Sequence, residues 1–170
     1  MDNEKLVAAC GLYCGACEIY RTQEDGNQAK TKEIMNGMNT RGGTSFTLDD
    51  MKCDGCAAGG KINTWCKGCG IRACAKQKQK NARCSPECPD YPCSLLIKFA
   101  NDGMTHHKEI IENLQHLNKD GLKKHAAQEE KRWRCSGCGK PMSWYDKQCS
   151  SCGALRSEKL FKLEYDWPPK

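Results

Sequence analysis

The sequence predicts a small, metal-stabilised α+β protein: a cysteine-rich domain of short helices and knuckle loops, then a helical hairpin, then a C-terminal β zinc ribbon. Two observations carry that expectation. Leu, Ile, Val and Phe together number only 22 of 170 residues, below the range in which apolar burial alone offsets chain entropy. Cysteine numbers 15, mostly in short clusters. Closely spaced reduced thiols bind metal, and the binding free energy, about 10–16 kcal/mol for a structural zinc in a small peptide, is folding free energy. The opening MDNEKLVAAC has neither the basic region nor the long apolar core of a secretory leader, so reduced thiols in a cytoplasm are expected rather than disulfides. No run approaches the roughly 18 apolar residues of a membrane span, so no membrane partner is expected.

Cysteine usage sets the organisation. Residues 1–93 carry eleven, 94–134 none and 135–152 four. This divides the chain into a cysteine-rich metal-binding domain at 1–100, a helical hairpin linker at 101–133, the ribbon at 134–156 and a tail at 157–170.

In chain order, CGLYCGAC comes first and places Cys10, Cys14 and Cys17 as C-x3-C-x2-C. With that spacing, radical S-adenosylmethionine enzymes hold three irons of a [4Fe-4S] cluster. The rest of the chain has no repeated βα pattern for the barrel such an enzyme needs, and Gly42-Gly43 precedes Thr44 rather than an acid. A helix would put the three thiols on one face, but Gly11 and Gly15 make it costly, and a loop or helix start fits equally. Residues 21–50 are polar and glycine-punctuated, and read as a connector with a short helix at 29–38. Cys53 and Cys56, then Cys66 and Cys69, form two C-x2-C knuckles nine residues apart. The pattern suits a tetrahedral zinc, with Cys66, Cys69 and Cys74 in an iron–sulfur cluster as the alternative.

Cys74 opens a helix (ACAKQKQK), and Cys84, Cys88 and Cys93 lie in the proline-rich loop CSPECPDYPC, which cannot be long helix or central strand. Of the eleven thiols in residues 1–93, seven remain once Cys53, Cys56, Cys66 and Cys69 are set aside: Cys10, Cys14, Cys17, Cys74, Cys84, Cys88 and Cys93. Their pairing is open. From Pro92 as first helical residue, CSLLIKFAND reads as a helix ending near Gly103. Ile110, Leu114 and Leu117 recur at i, i+4 and i+7 and mark an amphipathic helix over 105–118. A third helix is expected over 122–132, with Asp120 as its cap. His106, His107, His116 and His125 lie here without metal-ligand spacing, so packing or solvent-facing roles are expected, with His106 or His107 in reserve to complete a three-cysteine site.

The clearest signal is CSGCGKPMSWYDKQCSSCG. Cys135 and Cys138, then Cys149 and Cys152, are two knuckles ten residues apart. Each knuckle turns two sulfurs toward one ion, and a β-hairpin between them brings the pairs together. Four cysteine ligands leave no open coordination position, so this zinc would be structural. Trp144 and Tyr145 at the hairpin tip either cover the ribbon core or the helical hairpin, or stack on a base.

The formal charge of +6 suggests a polyanion, yet each ion held by four thiolates nets −2, and three such sites would cancel it. The one concentrated basic run is Lys76, Lys78, Lys80 and Arg83; on a helix Lys76, Lys80 and Arg83 share a face that either contacts phosphates or is simply solvated. No G-x-S-x-G, P-loop or H-E-x-x-H is present, and no catalytic residue is assigned.

CGLYCGACEIY, CDGC, CKGCGIRACAKQK and NARCSPECPDYPCSLL, in this order, resemble an uncharacterised cysteine-rich family of anaerobic bacteria and archaea known as a domain of unknown function. The resemblance covers residues 8–100, and KRWRCSGCGKPMSWYDKQCSSCG is similar to members that append a zinc ribbon. Between Cys84 and Cys88 the chain has one residue more than the C-x2-C toward which the family tends. The resemblance implies multi-cysteine metal binding in a prokaryotic cytoplasm and transfers no activity. The expected function is a zinc-binding interaction or regulatory module with two or more ions and a protein or nucleic-acid partner. The alternatives are an iron–sulfur redox protein or enzyme using Cys10, Cys14 and Cys17, with a [4Fe-4S] cluster as cofactor, and a nucleic-acid-binding ribbon.

Overall fold

The amphipathic stripe of residues 110–117 does in three dimensions what its periodicity dictates: Ile110, Ile111 and Leu114 are buried at the centre of the molecule. They sit on α6, Ile110–Asp120, which follows a 3-10 segment, Thr105–Glu109. The computed structural model describes residues 3–78 and 82–156, apart from the side chains of 76–78. The tail at 157–170 lies outside the described residues.

The fold is small and mostly helical. Its helices are α1 (Glu18–Glu24), α2 (Gln28–Gly42), α3 (Thr64–Lys67), α4 (Gly70–Lys78), α5 (Ser94–Ala100), α6, and α7 (Leu122–Arg132). Among the described residues, β structure amounts to isolated bridges, at Val7 with Tyr13, Arg134 with Pro141, and Gln148 with Leu155. The strands expected of a C-terminal β-hairpin are therefore absent among those residues. Pro141 lacks the N–H a ladder needs, and the segment after it turns inward, with Met142 N–H donating to Trp133 O and Trp144 N–H to Ala16 O, each at 2.8 Å.

One main core draws on residues from Val7 to Trp144. Leu12, Tyr13 and Ala16 from the first cysteine segment meet Leu96 and Ile97 of α5, the α6 stripe, and Trp133 after α7. Each fully buried aliphatic side chain contributes about 1.5–3 kcal/mol. Gly11 lets this happen: its φ is +84°, and a Cβ there would stand 3.2 Å from the Asn113 and Leu114 atoms of α6. The helix α7 is held by an ion pair to a buried carboxylate, the partly exposed Arg132 reaching both Glu109 oxygens at 2.7 and 2.9 Å, while Trp133 Nε1–H donates to Glu129 at 3.0 Å. Arg132 and Arg156 also stand over the Trp133 ring, at 4.8 and 5.0 Å. The Asn3 amide reaches Glu130 on the same helix.

Three element expectations change. Residues 21–50 are not a connector with a short helix: they complete α1 and hold the fifteen-residue α2. Ile34, Met35 and Met38 pack against a small second cluster of Ile19, Met51 and Cys53. The overlooked signal was Asn27, whose side chain accepts the Lys30 N–H at 3.0 Å as an N-cap. Asp120 does not cap α7: α6 continues through it, Gly121 separates the helices with no side-chain cap, and the Asp120 carboxylate pairs with Lys124 at 2.9 Å. The helix expected from Pro92 begins two residues later, its first bond running from Ile97 N–H to Cys93 O at 3.0 Å.

Candidate metal centres

In the C-terminal segment each knuckle is closed by its own backbone: Gly139 N–H donates to Cys135 O and Gly153 N–H to Cys149 O, both at 2.9 Å. The turns aim Cys135, Cys138, Cys149 and Cys152 at one point, and their four sulfurs all lie within 4.8 Å of one another. Cys135 to Cys152 and Cys138 to Cys149 are each 3.6 Å apart. Zn–S bonds of about 2.3 Å in a tetrahedron put sulfurs about 3.8 Å apart, so this donor set is already spaced for such an ion. The Cys135 sulfur takes the backbone N–H groups of Cys138 and Gly137, which hold it down at about 6. Cys149 is likewise lowered by the N–H groups of Cys152 and Ser151. At Cys152 the Ala154 N–H pulls down, but donation to the Cys138 and Cys135 sulfurs outweighs it and pushes the thiol up to about 12. Cys135 and Cys149 thus favour the charged form, whereas a cation would have to displace the proton of Cys152. Cys135 and Cys149 are buried, whereas Cys138 and Cys152 are exposed.

The N-terminal thiols are assembled differently. Cys53, Cys56, Cys66 and Cys69 are not drawn into one tight group; they interleave with the first segment. Cys56 N–H donates to Cys14 Sγ at 3.4 Å. The Cys14 and Cys66 thiols both donate to the Cys56 sulfur, which holds Cys56 well below the usual thiol range and raises its two donors. Gly55, at φ +105°, permits this approach: a Cβ there would meet Leu6 at 3.2 Å and Cys14 Cβ at 3.7 Å. Cys17 packs against the second cluster of Ile19, Met51 and Cys53, and burial pushes it up to about 12, with Cys53 and Cys56 adding to the rise. Cys10, also pushed up to about 12 by burial, has Cys56 and Cys69 as thiol neighbours.

Two side chains that sequence reading passed over position this region. Gln23 on α1 donates to Met51 O at 3.1 Å and accepts Cys53 N–H at 3.0 Å. Asn63 donates to Asp50 O at 2.9 Å and accepts Trp65 N–H at 3.0 Å, and it is 2% exposed. Neither carried a signal beyond being an amide in a polar stretch.

The loop at 84–93 is pinned at two points, by Cys84 N–H to Ala9 O at 2.8 Å and by Tyr91 O–H to Ile111 O at 2.9 Å. Cys84 is pushed up to about 11 by burial, then by the neighbouring Cys93, Cys88 and Cys74 thiols. The seven thiols with open pairing thus separate: Cys10, Cys14 and Cys17 lie with the 53–69 knuckles, whereas Cys74, Cys88 and Cys93 are neighbours of Cys84.

Trp144 is buried. Its ring stacks on His106, centroids 4.0 Å apart, and His106 Nδ1 is 2.6 Å from the Tyr145 oxygen. Burial, and then His107, lower His106 to about 3, so the ring is neutral and shares one hydrogen bond between Nδ1 and the Tyr145 hydroxyl. His107 stacks on Phe99, centroids 3.8 Å apart, and pairs with Asp102 at 2.8 Å. Both histidines pack; neither joins a cysteine group. In the basic run, Arg83 donates to Val7 O at 3.1 Å and Glu4 O at 2.7 Å. The side chains of Lys76 and Lys78, and all of Lys80, lie outside the described residues.

No helix among the described residues is long and apolar enough to cross a membrane. No curated protein and no solved structure matches the chain. A family model does match, over residues 6–98, the stretch that holds the first eleven cysteines. That match spans more than half of the sequence, and the chain belongs to the family described as Protein of unknown function (DUF3795).

Proposed function

We propose that the chain is a cytoplasmic zinc-binding protein acting as an interaction or regulatory module, with a structural zinc ribbon at its C-terminus. One observation carries the reading: the sulfurs of Cys135, Cys138, Cys149 and Cys152 lie within 4.8 Å of one another, and four soft thiolates at tetrahedral spacing suit zinc. With all four positions filled by protein, the ion folds the segment and does no chemistry. What it folds is a docking unit, because Trp144 and Met142 between the knuckles carry the hydrogen bonds to Ala16 and Trp133. Metal occupancy would thus decide whether residues 134–156 stay on the body of the protein, leaving the exposed knuckle edge at Cys138 and Cys152 for a partner.

The test is metal analysis of the full chain purified without added metal. The expected result is zinc in wild type and one zinc fewer in Cys138→Ser/Cys152→Ser. Equal zinc in the two proteins, or none in either, sinks the reading. Cobalt substitution checks the geometry, since tetrahedral thiolate-bound cobalt absorbs in the visible and that absorption should fall in the variant.

A further inference from the structure

We propose that the C-terminal thiols are a peroxide-sensitive site: oxidation trades the metal for two disulfides, Cys135 with Cys152 and Cys138 with Cys149, which hold residues 134–156 closed in its place. The inference rests on the metal reading above and adds a regulation of that same site.

Contact geometry selects the pairs. The four sulfurs lie within 4.8 Å of one another, and the contacts at 3.6 Å run from Cys135 to Cys152 and from Cys138 to Cys149. Both cross from one knuckle to the other. A disulfide needs its sulfurs at about 2.0 Å, so closing each contact asks only a small movement of two side chains. The backbone turns, Gly139 N–H to Cys135 O and Gly153 N–H to Cys149 O, need not change.

Accessibility gives each pair its order of events. Cys138 and Cys152 are exposed, whereas Cys135 and Cys149 are buried, so each pair joins one exposed thiol to one buried thiol. An accessible sulfur beside a second thiol is the arrangement in which peroxide oxidation is resolved as a disulfide. The exposed sulfur attacks one oxygen of hydrogen peroxide, the O–O bond breaks, and a sulfenic acid and one water form. The buried partner's sulfur then attacks the sulfenic sulfur, the S–O bond breaks, and a second water leaves. Each disulfide takes two electrons from its two sulfurs and reduces one peroxide to two waters; the protons come from the thiols, or from solvent where the sulfurs start as thiolates. The thiolate is the metal ligand, so the site empties as the two pairs close.

Bond placement decides what becomes of the fold. Disulfides within each knuckle would leave the two knuckles untied, whereas the cross pairs tie them over separations of 17 and 11 positions. The bonds that seat the segment, Met142 N–H to Trp133 O and Trp144 N–H to Ala16 O, involve no sulfur and stay available. Metal occupancy therefore governs docking only while the thiols are reduced; after oxidation the segment stays seated without metal.

The experiment uses the full-length wild-type chain, assayed for zinc, freed of reductant, treated with hydrogen peroxide, alkylated, and cut with trypsin from the monomer band without reduction. Cleavage after Lys147 puts Cys135 and Cys138 on one peptide and Cys149 and Cys152 on another. The two peptides should be recovered linked, with all four thiols lost to alkylation and at least one zinc released per chain. Fragmentation of the linked peptides should assign Cys135 to Cys152 and Cys138 to Cys149. Hydrogen exchange over 134–156 should be at least ~10-fold slower in the oxidised chain than in the reduced chain stripped by chelator. Links within a knuckle, a Cys135–Cys149 link, four thiols still open to alkylation, or exchange as fast as in the stripped chain overturns the proposal and leaves the metal reading standing. The cross links formed in a chain that held no zinc support the pairing and sink the metal reading alone.

Discussion

The two cysteine-rich regions solve the same problem at different ranges. At the C-terminus, eighteen consecutive residues bring four sulfurs together through two local turns, and each turn's own N–H groups lower the first sulfur of its pair. At the N-terminus, cysteines separated by up to 52 positions, Cys14 to Cys66, meet only because α1, α2 and α6 hold their segments in place. A local site is legible and separable. A site assembled across the fold depends on every contact that positions it, and damage to either kind should therefore spread differently.

The largest effect tests separability. On the zinc reading proposed above, Cys149→Ser should abolish metal binding at the C-terminal cluster and remove most of the roughly 10 kcal/mol or more that a structural zinc contributes. Hydrogen exchange should rise sharply over 134–156 and little over 28–42. A collapse of the whole chain would show that the segment is no separate unit.

Next comes Arg132→Ala, which leaves Glu109 buried without its partner and should cost about 2–4 kcal/mol. Denaturant unfolding measures the loss. Because the pair ties α7 to the segment before α6, the main core should loosen while the four-cysteine cluster at 135–152 keeps its local turns.

Gln23→Ala removes bonds to Met51 O and Cys53 N–H and should cost about 1–3 kcal/mol. Thiol labelling should speed at Cys17 and Cys53 but not at Cys135 or Cys149. Equal acceleration at both ends would break the contrast drawn above.

The smallest effect concerns the joint between the regions. His106 drops from 6.5 to about 3 on folding, because burial and then His107 disfavour its charge. Between those values the unfolded chain binds a proton that the folded chain does not, so stability falls as pH drops through 6.5 toward 3. The loss from pH 7 to pH 5 should be about 1–2 kcal/mol. Thiol protonation also weakens metal binding on that side, so the diagnostic is the difference between wild type and His106→Gln, whose slope should be shallower by that amount.

How much was legible follows from the range of the signal. The 110–117 stripe and the 122–132 helix were readable because periodicity repeats within a few turns. The knuckles at 135–152 were readable because their geometry needs only neighbours. The helix α2 was under-read: its apolar positions Ile34, Met35 and Met38 sit among polar residues and make sense only against Ile19 and Met51. Trp144 and Tyr145 were left between two roles, and the His106 ring decided for packing.

By itself the sequence determined that the last four thiols would share a point and that one helical stripe would be central. Each of these depends on contacts a few residues long. Only the tertiary structure decided that Cys56 joins Cys14 and Cys66, because thiols are chemically identical and spacing cannot rank distant partners. Which sulfurs meet is set by backbone contacts such as that of Cys56 N–H with Cys14 Sγ, and by amides such as the part-buried Gln23 and the buried Asn63, whose bonding partners no local pattern specifies.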